Sequence, residues 1–222
     1  MNVKETPTLK SFQTLRKAKA WLKYKLFFFR KHRVYMYVDF DITAALPRSA
    51  ILVCEKICKK LKDLNIIIRP SDGTLLGLLR DGCLIRHDND LDFDILATND
   101  SVEAFRNGFD ATYLTLVRKV TYRNRLQQLT YRDKEGILID FIFWWGDRNL
   151  LVNFSEAGYM RVLPRKFLAE LKNQIIDGHH FPVPLDDQEW LRYRYGDTWA
   201  VPQSSKGDWR DDCNDLVSMA YL

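Results

Sequence analysis

The sequence predicts an α+β protein, a mixed sheet flanked by helices with a small helical subdomain at its C-terminal end. Three observations carry this. Residues 50–64 place apolar side chains at helical spacing, whereas Leu91, Phe93 and Ile95 alternate with Asp90, Asp92 and Asp94 at the period of a half-buried strand. Helix and strand patterns then interleave irregularly, without the regular βαβ repeat of a doubly wound parallel sheet. Finally, Asp133-Lys-Glu-Gly136 between two apolar runs resembles a hairpin turn, so part of the sheet is antiparallel.

Along the chain, Leu15, Ala18, Leu22, Leu26 and Phe29 recur at helical spacing, with Arg16, Lys19, Lys23 and Arg30 on another side. Phe27 and Phe28 widen the apolar surface. Three readings fit this basic amphipathic segment: contact with anionic lipid headgroups through residues 10–33, packing on the rest of the domain, or docking on a partner. Residues 35–41 read as a short strand. In the helix at 50–64, Ala50, Val53, Cys54, Ile57, Leu61 and Leu64 form the buried face and Lys56, Lys59, Lys60 and Lys62 lie elsewhere. Ile66-Ile67-Ile68-Arg69 is a buried-strand candidate, residues 74–80 a short helix stopped by Asp81-Gly82, and residues 90–95 the acidic strand. Residues 99–108 suit a short helix or a loop. Strands are expected at 113–120, 126–131 and 137–143. Beyond Gly146 the pattern predicts a helix over 164–172, a turn and extended return over 177–184, and a helix from Asp186 to Tyr195. Asp186 is its N-cap, Glu189 completes a capping box and Gly196 ends it.

A chain of 222 residues with 46% hydrophobic and 13% aromatic content can bury one good core but not comfortably two. We divide it into a basic N-terminal segment, 1–47, a core, 48–146, and a C-terminal part of the same domain, 147–222. The formal charge is +5, yet residues 1–33 hold ten Lys or Arg against the single Glu5, so the remainder is net acidic. Cys54, Cys58, Cys83 and Cys213 lack a compact metal-binding spacing, and the Cys54/Cys58 pair, in an amphipathic helical pattern, reads as buried core thiols. The N-terminus lacks the apolar run and cleavage site of a secretory signal, and no stretch reaches the ~20 apolar residues that span a bilayer. A cytoplasmic location is expected, at the inner membrane face if the basic segment binds lipid.

Functional information concentrates in residues 72–95. Asp90 and Asp92 lie on one face of a strand with Cα atoms about 6.6 Å apart, a spacing from which carboxylates converge on Mg²⁺, or on Mn²⁺ as the second candidate. A third carboxylate is needed, and Asp140, in the apolar run Leu138-Ile-Asp-Phe-Ile-Phe143, is costly to bury unless paired or metal-bound. Gly73-Thr74 at a helix start supplies backbone N–H groups and a hydroxyl to a phosphate. Arg80 and Arg86, which bracket the acidic strand, are favoured for neutralising phosphate charge over Lys119, Arg123 and Arg125. His87 can bond a phosphate or an Asp, or simply occupy a turn. A second Asp-x-Asp, Asp39-Phe-Asp41, lacks the glycine turn and is assigned to capping or surface pairing.

These residues give the chain a resemblance to the LicD family, the phosphocholine and polyol-phosphate transferases related to fukutin-related protein. That family has a nucleotidyltransferase-like fold and a hallmark of Gly-Thr-Leu-Leu-Gly, Arg-x-Gly and Ile-Pro-Trp-Asp-x-Asp-x-Asp. The chain has Gly73-Thr-Leu-Leu-Gly77, Arg80-Asp-Gly82 and Ile85-Arg-His-Asp-Asn-Asp-Leu-Asp92, and later Tyr195-Gly-Asp-Thr-Trp-Ala-Val-Pro202 for a distal Tyr-Gly-x-x-Trp-x-x-Pro. The resemblance spans residues 48–203. It implies metal ligation by Asp90, Asp92 and Asp140 with Asp88 in support; Gly73, Thr74, Gly77, Arg86, His87, Tyr195 and Trp199 are the expected substrate contacts. Tyr195 and Trp199 read equally as packing of the C-terminal part. Arg86-His87 replaces the usual Pro-Trp, and Asn89 stands where another Asp is common, so donor or acceptor choice is the property least safely inherited.

The resemblance further implies Mg²⁺-dependent transfer of a phospho-alcohol from a CDP-linked donor, such as CDP-choline, CDP-ribitol or CDP-glycerol, to a surface glycan or its lipid-linked precursor, as in capsule or lipopolysaccharide assembly. Asp90, Asp92, Asp140 and Arg80 are the expected catalytic set. Two rivals remain: a nucleotidyltransferase using an NTP on a sugar phosphate, protein or RNA, and a basic adaptor binding RNA or membrane without catalysis. Nucleic acid is not an expected partner on the phospho-alcohol reading.

Overall fold

The structure is a computed structural model that describes residues 32–36, 45–155, 159–202 and 214–218. The basic helix proposed for residues 15–30, the Asp39/Asp41 pair and Cys213 lie outside them. Eleven strands and five helices are described: β1 (His32–Met36), α1 (Ala50–Asp63), β2 (Ile68–Pro70), α2 (Asp72–Arg80), β3 (Asp90–Leu96), α3 (Asn99–Gly108), β4 (Thr115–Tyr122), β5 (Arg125–Arg132), β6 (Leu138–Gly146), β7 (Leu150–Phe154), β8 (Tyr159–Pro164), α4 (Lys166–Ala169), β9 (Leu171–Ile176), β10 (His179–Pro184), α5 (Asp187–Tyr195) and β11 (Leu216–Ser218). This is the α+β architecture expected, with one large mixed sheet flanked by helices.

Nine strands form that sheet. Its path runs β1-β4-β5-β6-β7-β8-β11, and β3 lies beside β6 and carries β2 on its far edge. Only β3 and β6 run parallel among these pairs; the others are antiparallel. The parallel pair is the structural heart. Leu91, Phe93, Ile95, Phe141 and Phe143, each at most 0% exposed, point to one face, where Phe93 stacks on Phe141 at 5.6 Å between ring centroids. Phe105 and Phe109, from α3 and its C-terminal cap, meet Phe141 edge-on at 5.1 Å each. Each such ring contributes roughly 1.5–3 kcal/mol by leaving water. The α3 helix forms here because Thr98 and Ser101 cap each other's backbone N–H groups, a box that resolves the helix-or-loop choice at 99–108.

The helix at 50–64 and the hairpin at 126–143 follow the sequence pattern closely. Of the strand expected at 35–41, Tyr35 and Met36 belong to β1 (His32–Met36), and 37–41 lie outside the described residues. Residues 164–172 depart furthest from expectation. Only Lys166–Ala169 is helical, and Leu171–Ile176 pairs with His179–Pro184 as a hairpin, turning at Asp177 and Gly178, both with positive φ. The β-branched run Ile175-Ile176 before this turn outweighs the helical spacing that precedes it. Strands β7, β8 and β11 are not among the strands expected from the sequence. At α5, Asp186 accepts from the Glu189 N–H at 3.0 Å, but the Glu189 carboxylate pairs with Lys166 instead of returning to the cap. No helix among the described residues is long and apolar enough to cross a membrane.

Candidate active site

The parallel register aligns Asp92 with Asp140, so two strands that are remote in sequence deliver carboxylates side by side. Asp90, two residues earlier on the same face of β3, joins them. One oxygen from each of Asp90, Asp92 and Asp140 lies within 4.8 Å of the others. Asp94 continues the same face, yet its carboxylate is committed elsewhere: Trp144 Nε1 donates to it at 2.6 Å and Arg69 pairs with it at 2.7 Å, both fully buried. That commitment separates the structural aspartate from the two exposed to the site.

Helix α2 closes one side. The hydroxyl of Thr74 accepts the Asp92 backbone N–H at 2.9 Å, and Thr74 is 0% exposed. Thr74 therefore fastens α2 to β3, whereas the sequence suggested that it faces a phosphate directly. A Cβ at Gly73 would come within 2.6 Å of Asp88 Oδ2, so only glycine lets the Asp88 carboxylate sit over the helix start. Asp88 in turn is hydrogen-bonded to Asp90 and takes the Asn89 N–H at 3.0 Å. Gly77 is needed for a different close approach, since a Cβ there would meet Cys83 O at 2.7 Å and Ile85 N at 2.9 Å.

Burial and mutual repulsion dominate the electrostatics. Desolvation, then the Asp140 and Asp88 charges, push Asp90 up to about 8. Desolvation followed by the Asp90, Asp72 and Asp140 charges raises Asp92 well above the usual carboxylate range. Asp88 is raised, again chiefly by burial. Asp140 has one oxygen satisfied, since Oδ2 accepts from Arg118 Nη2 at 3.0 Å and from Gln128 Nε2 at 2.9 Å, while Oδ1 is buried without a hydrogen-bond partner. Three converging carboxylates, whose burial and mutual repulsion disfavour uncompensated negative charge, and an orphaned buried oxygen fit a hard divalent cation, which would supply the missing positive charge.

The remaining candidates scatter. Arg80 is engaged at the end of α2 by the Asp81 carboxylate, at 2.8 and 2.6 Å. Arg86 and His87 are exposed on the loop before β3. Tyr195 meets Trp190 edge-on at 6.1 Å and lies under the Arg194 guanidinium at 5.2 Å, and both Tyr195 and Trp199 pack against the hydrophobic core. Among the described residues, the guanidinium that touches the acidic cluster is Arg118, on β4, which, like Gln128, is not among the residues the sequence singles out. No local motif marks either; their signal is cross-strand register, visible only once four strands are aligned.

A second polar cluster was also missed. Asp72, the first residue of α2 with φ +43, receives Arg161 at 2.9 and 2.8 Å and Arg194 at 3.0 and 2.8 Å. The same two arginines reach Asp215 at 3.1 Å each. Burial opposes ionisation of Asp72, but Arg161 and Arg194 prevail and hold it below the usual carboxylate range. This alternating ring anchors the start of α2, and so the segment carrying Gly73 and Thr74.

Comparison with known proteins places these features in context. A family model described as LicD/FKTN/FKRP, nucleotidyltransferase domain, matches residues 70–186, more than half of the chain. The chain is 23% identical over 181 residues to ribitol-5-phosphate transferase FKTN of Mus musculus, an alignment covering 78% of this chain and 38% of that protein. It thus spans well under half the length of this curated relative. Among solved structures, the lincosamide antibiotic adenylyltransferase LnuA with lincomycin bound is similar with a TM-score of 0.43 and 11% identity, over 67% of this chain and 86% of that one.

Proposed function

The chain belongs to the LicD/FKTN/FKRP family, and from that premise we propose that it transfers a phospho-alcohol from a CDP-linked donor to a hydroxyl of a glycan or lipid-linked glycan precursor, releasing CMP. Phosphocholine, ribitol phosphate and glycerol phosphate are the candidate groups. The observation that carries the reading is the convergence of Asp90, Asp92 and Asp140 across the parallel strand pair, with Asp140 Oδ1 left unpartnered.

In this reading Asp90, Asp92 and Asp140 hold Mg²⁺ or Mn²⁺, and Asp88 supports Asp90 by hydrogen bonding. The chemistry such a cation supplies is neutralisation and polarisation of the donor's phosphoryl oxygens. An acceptor oxygen forms the new bond to the phosphorus that carries the alcohol, the bond from that phosphorus to CMP breaks, and the acceptor's proton leaves to solvent or a nearby carboxylate. Among the described residues Arg118 is the cation that touches the cluster, Arg86 is exposed for donor phosphates, and Arg80 would have to leave Asp81 to join it. The exposed loop bearing Arg86 and His87 is assigned to donor or acceptor selection. Tyr195 and Trp199 are assigned to closing the cleft from the C-terminal side.

The test incubates the protein with Mg²⁺, a panel of CDP-alcohols and glycan acceptors, and measures CMP release and acceptor mass gain. Asp92→Asn is expected to lower turnover at least ~100-fold, because charge on the transferring group then goes uncompensated. The description of the family's domain as a nucleotidyltransferase favours one second reading, transfer of a nucleotide from an NTP. Recovery of labelled nucleoside in the acceptor would establish that alternative in place of phospho-alcohol transfer.

A further inference from the structure

A single row of residues crosses four strands: Asp92 on β3 is aligned with Asp140 on β6, Asp140 with Thr130 on β5, and Thr130 with Arg118 on β4. Neighbouring strands lie about 4.8 Å apart, so Arg118 has to reach over Thr130 to touch Asp140. It does so while bonded to it, with Nε donating to Thr130 Oγ1 at 2.9 Å and Nη2 to Asp140 Oδ2 at 3.0 Å. The β4 register shifts between Leu116 and Arg118. Such an irregularity re-aims the side chains beside it. Gln128, on the same face of β5 two residues before Thr130, adds its amide to the same oxygen at 2.9 Å.

Two donors occupy the two lone pairs that a carboxylate oxygen offers in its plane. Oδ2 is thereby saturated, and Oδ1 is the buried oxygen without a partner. We propose that Arg118 and Gln128 are positioning residues for the metal centre: they hold Asp140 by Oδ2 alone, so that Oδ1 is presented to the cation as a single ligand atom. The inference rests on the metal-dependent reading above and adds the residues that orient its third ligand. Holding Asp140 to one oxygen keeps coordination positions open for donor phosphates, which Mg²⁺ and Mn²⁺ sites of few carboxylates require. It also removes Oδ2 as a proton acceptor, so Asp140 acts as a ligand and not as the base for the acceptor hydroxyl.

Titration of the full chain with Mn²⁺, followed by electron paramagnetic resonance of the free ion, tests this without any donor. Gln128→Leu and Gln128→Ser are each expected to weaken Mn²⁺ binding about 10-fold or more, the usual size of an outer-shell effect. Arg118→Met is expected to weaken it as well, and Arg118→Lys to restore part of the loss. The sign matters, because a guanidinium acting only as a nearby positive charge would repel the cation, and its removal would tighten binding. In an Asp140→Asn background the Gln128 and Arg118 substitutions should change affinity no further. Wild-type affinity in the Gln128 variants, tighter binding by Arg118→Met, an undiminished effect in the Asp140→Asn background, or no Mn²⁺ binding by the wild-type chain would each overturn the proposal. Normal Mn²⁺ behaviour without CMP release from any CDP-alcohol would support it and remove only the donor assignment.

Discussion

At the scale of single residues, the chain contains two kinds of half-buried aspartate with opposite responses to pH. Asp72 is held below the ordinary carboxylate range: burial resists its charge, but Arg161 and Arg194 outweigh it. Its stabilisation is present above the unfolded value near 3.9 and is lost as pH falls. Asp90 is pushed up to about 8 by burial and by the Asp140 and Asp88 charges. Its contribution is full below the unfolded value and is lost as pH rises toward 8, because the unfolded chain then ionises more readily than the folded one. Between pH 5 and pH 8 the Asp72 contribution is constant, so the metal-free protein is expected to melt at progressively lower temperature across that window. Asp90→Asn should flatten the dependence and raise the melting temperature at pH 8, at about 2–4 °C per kcal/mol for a chain of this size. A thermal melt series in chelator at several pH values checks both, and a wild-type melting temperature that rises from pH 5 to pH 8 would contradict the assignment. The same residues show how chemistry and local pattern diverge. Asp90, Asp92 and Asp94 are equivalent in an alternating strand, and what separates them is Arg69 and Trp144, which reach Asp94 from elsewhere in the chain.

At the scale of elements, helix α2 is the piece that joins fold to site. Its first turn is fixed by Asp72 to two arginines, Thr74 ties it to β3, and Gly77 lets the loop at Cys83–Ile85 lie directly on it. Two of the three nearest atoms at Gly77, Cys83 O and Ile85 N, are backbone atoms, which cannot move aside as a flexible side chain would. Gly77→Ala is therefore expected to destabilise the protein by about 1–3 kcal/mol through overpacking, despite the better helix propensity of alanine. Urea denaturation measures this, and an unchanged or higher midpoint would show that the loop yields. Because the same loop leads into Arg86, His87 and Asp88, the substitution should also raise KM for the donor. The glycine spacing was legible in the sequence, whereas its cause was not: a Gly-x-x-x-Gly pattern announces close approach but does not say what approaches.

At the scale of the whole molecule, the segment at residues 214–218 closes the fold around the site. β11 extends the sheet on β8, and Asp215 supplies the second carboxylate to Arg161 and Arg194, whose side chains are 6% and 4% exposed. Removing it takes one of two carboxylates from a pair of buried guanidinium groups. Asp215→Ala is expected to cost about 3–5 kcal/mol, the range for breaking one partner of a buried ion network, and to loosen α2 although residue 215 is far from α2 in sequence. A loss below 1 kcal/mol in denaturant would show that water reaches the arginines. What the sequence determined by itself was whatever short-range periodicity and spacing encode: the α+β class, the 50–64 helix, the acidic strand, the hairpin of β5 and β6, and the candidate ligands Asp90, Asp92 and Asp140. It misjudged residues 164–172 and passed over β7, β8 and β11, whose pairing depends on partners rather than on their own pattern. Only tertiary structure decided that Asp94 is structural, that Thr74 faces β3, that Arg118 and Gln128 hold Asp140, and that Asp72 closes a ring with Asp215. Each of those contacts is set by cross-strand register or by residues far apart in sequence, and a carboxylate's role in a desolvated interior depends on which cation reaches it first.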